Sequence, residues 1–124
     1  MGVVVPRPHF LEKLRELCDD NEALFIFDEV MTGFRLARGG AQESLGVRAD
    51  LATFGKAMAS GFPISAVAGK REYMEFLADG RVIHAGTMNA GVPCLAAALA
   101  TLDALTRNDG EAYRHIRELG RSLM

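Results

Sequence analysis

The sequence predicts an α/β fold in which a mostly parallel sheet carries one antiparallel strand and flanking helices. The apolar run at residues 24–27 lacks alternation, which is typical of a strand buried on both faces of a parallel sheet. A second strand candidate covers 50–54, and the connection between the two is long enough for a crossover, so they can lie in parallel. Residues 56–65 are too few for a crossover helix, so we expect the third strand, 65–68, to run antiparallel to a neighbour.

Five further segments have the periodicity or composition of helices. Residues 9–20 place apolar side chains on one face and charged ones on the other. Gly46 ends a short helix, and Pro93 suits the first turn of a longer one. The predicted helices cover residues 9–20, 41–46, 70–78, 93–105 and 111–124.

Composition excludes several classes of protein. The 124 residues correspond to about one domain, and 49% hydrophobic with 24% charged residues is typical of a globular chain. Sixteen acidic against fourteen basic residues argue against a nucleic-acid partner. No apolar run has the length of a membrane span, and the first residues lack a signal-peptide pattern. Cys18 and Cys94 form no CxxC motif, so we expect reduced thiols and a cytoplasmic protein.

The two ends of the sequence resemble cut ends. The apolar stripe of helix 111–124 continues to the last residues without a capping glycine or a polar tail. We therefore expect residues 1–124 to be a fragment of a longer polypeptide, with N-terminal and C-terminal parts missing.

Asp28 follows the first predicted strand, where a buried carboxylate is costly unless a positive group pairs with it. It is either a salt-bridge or helix N-cap residue, or the partner of a cationic ligand atom such as a protonated ring nitrogen. A nucleotide-hydrolysis acid would also fit an Asp at this place, but it requires a phosphate loop that ends in Gly-Lys-Ser/Thr. Neither Gly-Lys pair of this chain is followed by Ser or Thr, so that interpretation is excluded.

Lys56 lies between Gly55 and the apolar residues 57–59. Burial there would disfavour the ammonium form and leave a nucleophilic amine. The alternative is a surface lysine in a turn. The other two lysines, Lys13 and Lys70, fall on predicted helix surfaces.

Asp28 and Lys56 are expected to meet at one edge of the sheet. Each follows the end of one of two neighbouring strands. Because the strands are predicted to be parallel, both side chains lie at the carboxyl edge, where open α/β sheets bind ligands.

A loop of small residues, 86–91, precedes the predicted helix at Pro93. Gly86 and Thr87 are candidates for binding an anion, since helix N-termini present free N–H groups. A threonine before a helix is also a common cap, so both alternatives stay open. The histidines have no metal-ligand spacing to Asp, Glu or Cys, and no metal site is predicted.

Several motifs in a fixed order resemble the class III aminotransferases, the pyridoxal-phosphate family that includes glutamate-1-semialdehyde aminomutase. The likeness covers nearly the whole chain. The motifs are residues 24–35 (LFIFDEVMTGFR), 50–56 (DLATFGK), 61–63 (GFP) and 84–87 (HAGT). The resemblance implies that the chain is the central part of the large, pyridoxal-phosphate-binding domain of a fold-type-I enzyme.

The resemblance also implies a role for each candidate residue. Asp28 pairs with the pyridinium nitrogen of pyridoxal 5'-phosphate, and Val30 packs against one face of the ring. Lys56 holds the cofactor as a Schiff base and later moves a proton at the substrate α-carbon. Thr87, with Gly86 beside it, binds the cofactor phosphate across the interface of a homodimer.

The implied function is an aminotransferase that moves an amino group between a small-molecule amino donor and a keto acid or aldehyde. The alternative enzyme is the aminomutase, which moves the group within one molecule. A third hypothesis is that the 124-residue chain is an inactive truncated fragment.

Overall fold

The computed structural model describes residues 4–123, and its three strands form one mixed sheet in the order β1-β2-β3. The strands are β1 (Ile26–Asp28), β2 (Leu51–Phe54) and β3 (Ala66–Gly69). β1 and β2 are parallel, and β2 and β3 are antiparallel. The predicted parallel pair and antiparallel third strand are therefore confirmed.

Residues 4–123 also form four α-helices and one 3-10 helix. They are α1 (Phe10–Asp20), α2 (Gly40–Leu45), the 3-10 helix (Lys56–Ala59), α3 (Arg71–Ala78) and α4 (Val92–Ser122). α4 joins the two helices predicted at the C-terminal end, with a break at 107–110 where the backbone is not helical. Met124, the last residue of the predicted helix, lies outside the described residues. No helix within residues 4–123 is long and apolar enough to cross a membrane.

A small apolar core fixes the segment that follows Lys56. Met58 and Ala59 of the 3-10 helix are buried against Ala98 of α4, with Phe54 and Ile64 packed around them. Full burial of a large apolar side chain such as that of Met58 stabilises the fold by about 1.5–3 kcal/mol. The 3-10 helix is thereby anchored to α4, while its first residue, Lys56, stays exposed.

Asp50, which directly precedes β2, joins three elements through a buried carboxylate. It is only 2% exposed and accepts hydrogen bonds from the Arg15 guanidinium at 2.7 Å, the Lys70 ammonium at 2.6 Å and the Phe25 backbone N–H at 2.7 Å. Burial alone would raise the pKa of Asp50, but the hydrogen bonds from Lys70, Phe25 and Arg15 outweigh it and hold that pKa well below its usual range. The carboxylate therefore stays charged and ties α1 and α3 to the sheet.

The burial expected for the first strand is wrong. Ile26 is 55% exposed and Leu24 is 46% exposed. The reason is that burial alternates along this segment: Phe25 is buried and Phe27 is half-buried, so only one face of the strand is covered within residues 4–123.

Candidate functional site

Asp28 and Lys56 lie at the same carboxyl edge of the sheet, as predicted. Asp28 is the last residue of β1 and stands opposite Thr53 of β2 in the parallel register. β2 ends at Phe54, and Lys56 follows after one intervening residue, Gly55. The topology therefore places a carboxylate and an amine after two adjacent strands.

The Asp28 carboxylate is held by two neutral donors. Its Oδ1 accepts hydrogen bonds from the Val30 backbone N–H at 2.9 Å and from the Thr53 hydroxyl at 3.2 Å. Within residues 4–123 it forms no ion pair, and the N-cap of the nearby helix α2 is Gly39. Among the described residues, Asp28 therefore acts neither as a salt-bridge partner nor as a helix cap. The expectation of a buried side chain is also wrong, because Asp28 is exposed at the sheet edge.

Lys56 has an unusual backbone and a neutral partner. Its φ of 42° lies in the left-handed region, which is uncommon for residues other than glycine and is found often at functional sites. Its ammonium lies 2.8 Å from the Met31 sulfur, and no carboxylate pairs with it in the described part of the chain. Of the two alternatives for Lys56, burial or a surface position, the structure shows the surface position, because the side chain is exposed at the edge of the sheet.

Val30 lies beside the residue that precedes the lysine. A Cβ placed on the buried Gly55 would be 3.8 Å from the Val30 Cγ1 atom. Val30 also donates its N–H to Asp28. The structure therefore brings Asp28, Val30 and Lys56 together at one place.

Gly86 and Thr87 are not brought to this place by the residues that the structure describes. Residues 81–90 are all exposed. The loop is held by local contacts, such as the Asn89 N–H that donates to the Gly86 carbonyl at 3.0 Å. Between residues 4 and 123, no hydrogen bond joins it to Asp28 or Lys56. The loop does precede the N-terminus of α4, as expected, and a phosphate-binding role for Thr87 stays a prediction.

Glu29 is a residue whose importance the sequence reasoning missed. Its side chain has no exposed surface, and it accepts hydrogen bonds from the backbone N–H groups of Ala41 and Gln42, each at 2.9 Å, and from the Thr32 hydroxyl. Asp28 is the first acid after the predicted strand, and it alone received a role from the sequence. A signal was present in the Gly39-Gly40 pair that precedes α2, since glycines allow a close approach of backbone to a side chain.

A cleft of about 640 Å³ lies elsewhere on the chain, between α4 and the segment that leads into α2. Neither Asp28 nor Lys56 lines it. Its walls are formed by Phe34, Arg38, Gly39, Glu43, Leu99, Leu102, Asp103 and Thr106. The cleft is therefore separate from the group of candidate residues at the sheet edge.

Comparison with known proteins identifies the family. A sequence model of the family described as aminotransferase class-III matches residues 1–124. The chain belongs to this family. A glutamate-1-semialdehyde 2,1-aminomutase from Alkaliphilus oremlandii is 51% identical over 124 residues, which cover 99% of this chain and 29% of that protein.

Solved structures with a similar fold are described as transaminases. An omega-transaminase from Sphaerobacter thermophilus is 39% identical, with a TM-score of 0.78 over 85% of this chain and 25% of that one. A transaminase with PLP bound is 35% identical, with a TM-score of 0.79 over 86% of this chain and 26% of that one. This class III aminotransferase chain thus spans less than a third of the length of these relatives.

Proposed function

We propose that this chain provides the cofactor-ring end of the site of a pyridoxal-phosphate-dependent aminotransferase. The reaction transfers an amino group between a small-molecule amino donor and a keto acid or aldehyde through a Schiff base with Lys56. The observation that carries the proposal is the joint position of Asp28, Val30 and Lys56 at the carboxyl edge of the sheet. The similar transaminase with PLP bound supports the choice of cofactor.

The residues at the sheet edge fit pyridoxal phosphate. Asp28 uses only Oδ1 for the hydrogen bonds found within residues 4–123, so Oδ2 is available to a protonated ring nitrogen. Val30 offers an aliphatic surface for one face of a ring, beside Gly55. Lys56 has a neutral sulfur as its partner, and its amine can leave that contact to reach an aldehyde carbon without breaking an ion pair.

The chemistry divides between the cofactor and the chain. Pyridoxal phosphate, when bound, supplies an electron sink for bonds at the substrate α-carbon. Asp28 keeps the proton on the ring nitrogen, because a carboxylate favours the cationic form of its partner. The Lys56 amine, once free of the cofactor, acts as the general base that moves the α-proton.

The remaining parts of the proposal concern the whole protein. Gly86 and Thr87 bind the cofactor phosphate across the interface of a homodimer, which suits an exposed loop of small residues before α4. Residues 1–124 form part of the large cofactor-binding domain.

The two cysteines, Cys18 and Cys94, are free, which supports a cytoplasmic location.

A second candidate function is the aminomutase, favoured by the name of the 51% identical relative. The two reactions differ in stoichiometry. An aminomutase converts glutamate-1-semialdehyde without a separate amino acceptor, whereas an aminotransferase needs a donor and an acceptor in equal amounts. In the protein that contains this chain, conversion of the semialdehyde alone would favour the aminomutase, and dependence on an added keto acid would favour the aminotransferase.

Borohydride trapping tests the proposal on the chain itself. Pyridoxal phosphate is added, the imine is reduced, and the adduct is located by mass spectrometry among Lys13, Lys56, Lys70 and the α-amine. We expect a dominant adduct on Lys56, because Lys70 is held by Asp50 at 2.6 Å. Lys13 is exposed like Lys56, but it lies on α1 and not at the sheet edge with Asp28 and Val30.

Two variants make the trapping result specific. Lys56→Ala should remove the dominant adduct, and Lys13→Ala, the matched control on α1, should leave it in place. Equal labelling of all three lysines, or no labelling, would mean that the 124-residue chain has no site of its own. That outcome would support the hypothesis of an inactive fragment.

A further inference from the structure

Glu29 connects the end of β1 to the start of α2 by its side chain. The two carboxylate oxygens accept the N–H groups of Ala41 and Gln42 at 2.9 Å, and Oε2 also accepts the Thr32 hydroxyl. A fully buried carboxylate is costly unless such donors satisfy it, and the first N–H groups of a helix have no partner within the helix. The side chain thus closes the loop of residues 30–40 at both of its ends.

The backbone of the same residue is fixed on both sides. The Glu29 N–H donates to the Thr53 carbonyl of β2 at 2.9 Å, and the Glu29 carbonyl accepts the Gly33 N–H at 2.8 Å. Asp28 and Val30 are its direct neighbours in the chain. The hydrogen bond from the Val30 N–H to Asp28 Oδ1, at 2.9 Å, spans Glu29, so the aim of the Asp28 carboxylate depends on how Glu29 is held.

Two glycines make room for this arrangement. Gly40 has a φ of 71°, and a Cβ there would lie 2.6 Å from the Glu29 Cδ atom. A Cβ on Gly33 would lie 2.7 Å from the Glu29 carbonyl oxygen. Both distances are shorter than real Cβ contacts, so the loop can close on Glu29 only with glycine at these positions.

We propose that Glu29 is a positioning residue of the cofactor site: by clamping the loop after β1 onto α2, it fixes Asp28 and Val30 at the edge of the sheet where Lys56 also lies. This inference rests on the proposed function. Glu29 does not face the cofactor ring, and it acts through its two neighbours. Loss of the clamp should therefore disturb ring binding at Asp28 without removing the reactive amine of Lys56.

The test compares Glu29→Gln with Glu43→Gln in the full 124-residue chain. Glu43 is a matched control, because its carboxylate also accepts a backbone N–H at the start of α2, that of Gly39 at 2.6 Å, but it is exposed. In Glu29→Gln an amide NH₂ faces N–H donors, so one of them loses its acceptor. We expect protection of the Val30 amide against hydrogen exchange to fall at least tenfold in Glu29→Gln and less than twofold in Glu43→Gln.

Two cofactor measurements follow the exchange measurement. The dissociation constant for pyridoxal phosphate should rise at least tenfold in Glu29→Gln, and the pH midpoint of the visible absorption of the bound cofactor should shift by at least half a unit. Glu43→Gln should leave both unchanged. A purely structural role would lower the melting temperature but would not move the pH midpoint of the folded protein.

A milder variant keeps the test decisive if Glu29→Gln does not fold. Thr32→Val removes one donor to the Glu29 carboxylate while preserving shape, and it should weaken cofactor binding severalfold. If the unmodified chain forms no adduct on Lys56, the 124-residue chain has no cofactor site of its own, and the proposal that it provides the cofactor-ring end of the site by itself fails. If it does form the adduct, and the folded Glu29 and Thr32 variants bind pyridoxal phosphate with unchanged affinity and pH midpoint, only the positioning role is overturned.

Discussion

Replacement of Asp50 by asparagine tests the buried carboxylate that ties α1 and α3 to the sheet. Hydrogen bonds to charged groups contribute about 1.5–3 kcal/mol each, and loss of one partner of a buried pair costs about 3–5 kcal/mol. Asparagine keeps one acceptor oxygen. Lys70 is 52% exposed and regains water, and Arg15 keeps its second partner, Asp19, at 2.6 Å. We therefore place the loss near the lower limit, at about 3 kcal/mol.

Urea unfolding followed by circular dichroism measures this loss. With a slope of about 2 kcal/mol per molar urea, the midpoint of Asp50→Asn should fall by about 1.5 M. Asp103→Asn is the control, because Asp103 is exposed and lies 3.4 Å from its partner Arg107. That variant should change the free energy of unfolding by less than about 0.5 kcal/mol. Equal midpoints for the two variants would refute the reasoning.

Three further predictions follow from the same structure. The folded-state pKa of Asp50 is lowered, so its contribution to stability is fully present above the unfolded pKa of about 3.9 and is lost as the pH falls toward the folded-state pKa. Lowering the pH should therefore shrink the difference in free energy of unfolding between the parent chain and Asp50→Asn. Gly40→Ala should unfold at a clearly lower urea concentration than Gly46→Ala. Both glycines have a positive φ, which costs an alanine about 1–2 kcal/mol at either position, but only a Cβ at Gly40 would collide with the Glu29 side chain. Equal urea midpoints for the two variants would contradict this. In the protein that contains this chain, Asp28→Ala should slow transamination at least tenfold while Lys56 still traps the cofactor, and an unchanged rate in steady-state assays would remove Asp28 from its role.

The sheet and the meeting of Asp28 with Lys56 could be predicted from local features of the sequence. The connection between β1 and β2 is long enough for a crossover, and the one before β3 is not, which fixes the direction of all three strands. The ends of parallel strands meet at one edge for geometric reasons. The lengths of the connections and the ends of the strands were therefore enough to place Asp28 and Lys56 near each other.

The surroundings of these residues could not be predicted, because they depend on contacts between distant segments. Arg15 lies 35 positions from Asp50, and no local pattern links the two. The roles of Glu29 and Gly40 likewise depend on how the loop folds back onto α2. Apolar neighbours suggested that Lys56 is buried, but Met58 and Ala59 turn toward α4 and leave the lysine outside.

The position of β1 at the edge of the sheet has a consequence for how copies of the chain behave together. An edge strand presents unpaired N–H and C=O groups, and Leu24 and Ile26 add exposed apolar surface beside them. Such an edge is a template for a strand of another molecule, and proteins normally protect it with charges, bulges or a covering segment. The same edge that can extend the sheet therefore allows self-association to compete with correct folding wherever it is left uncovered.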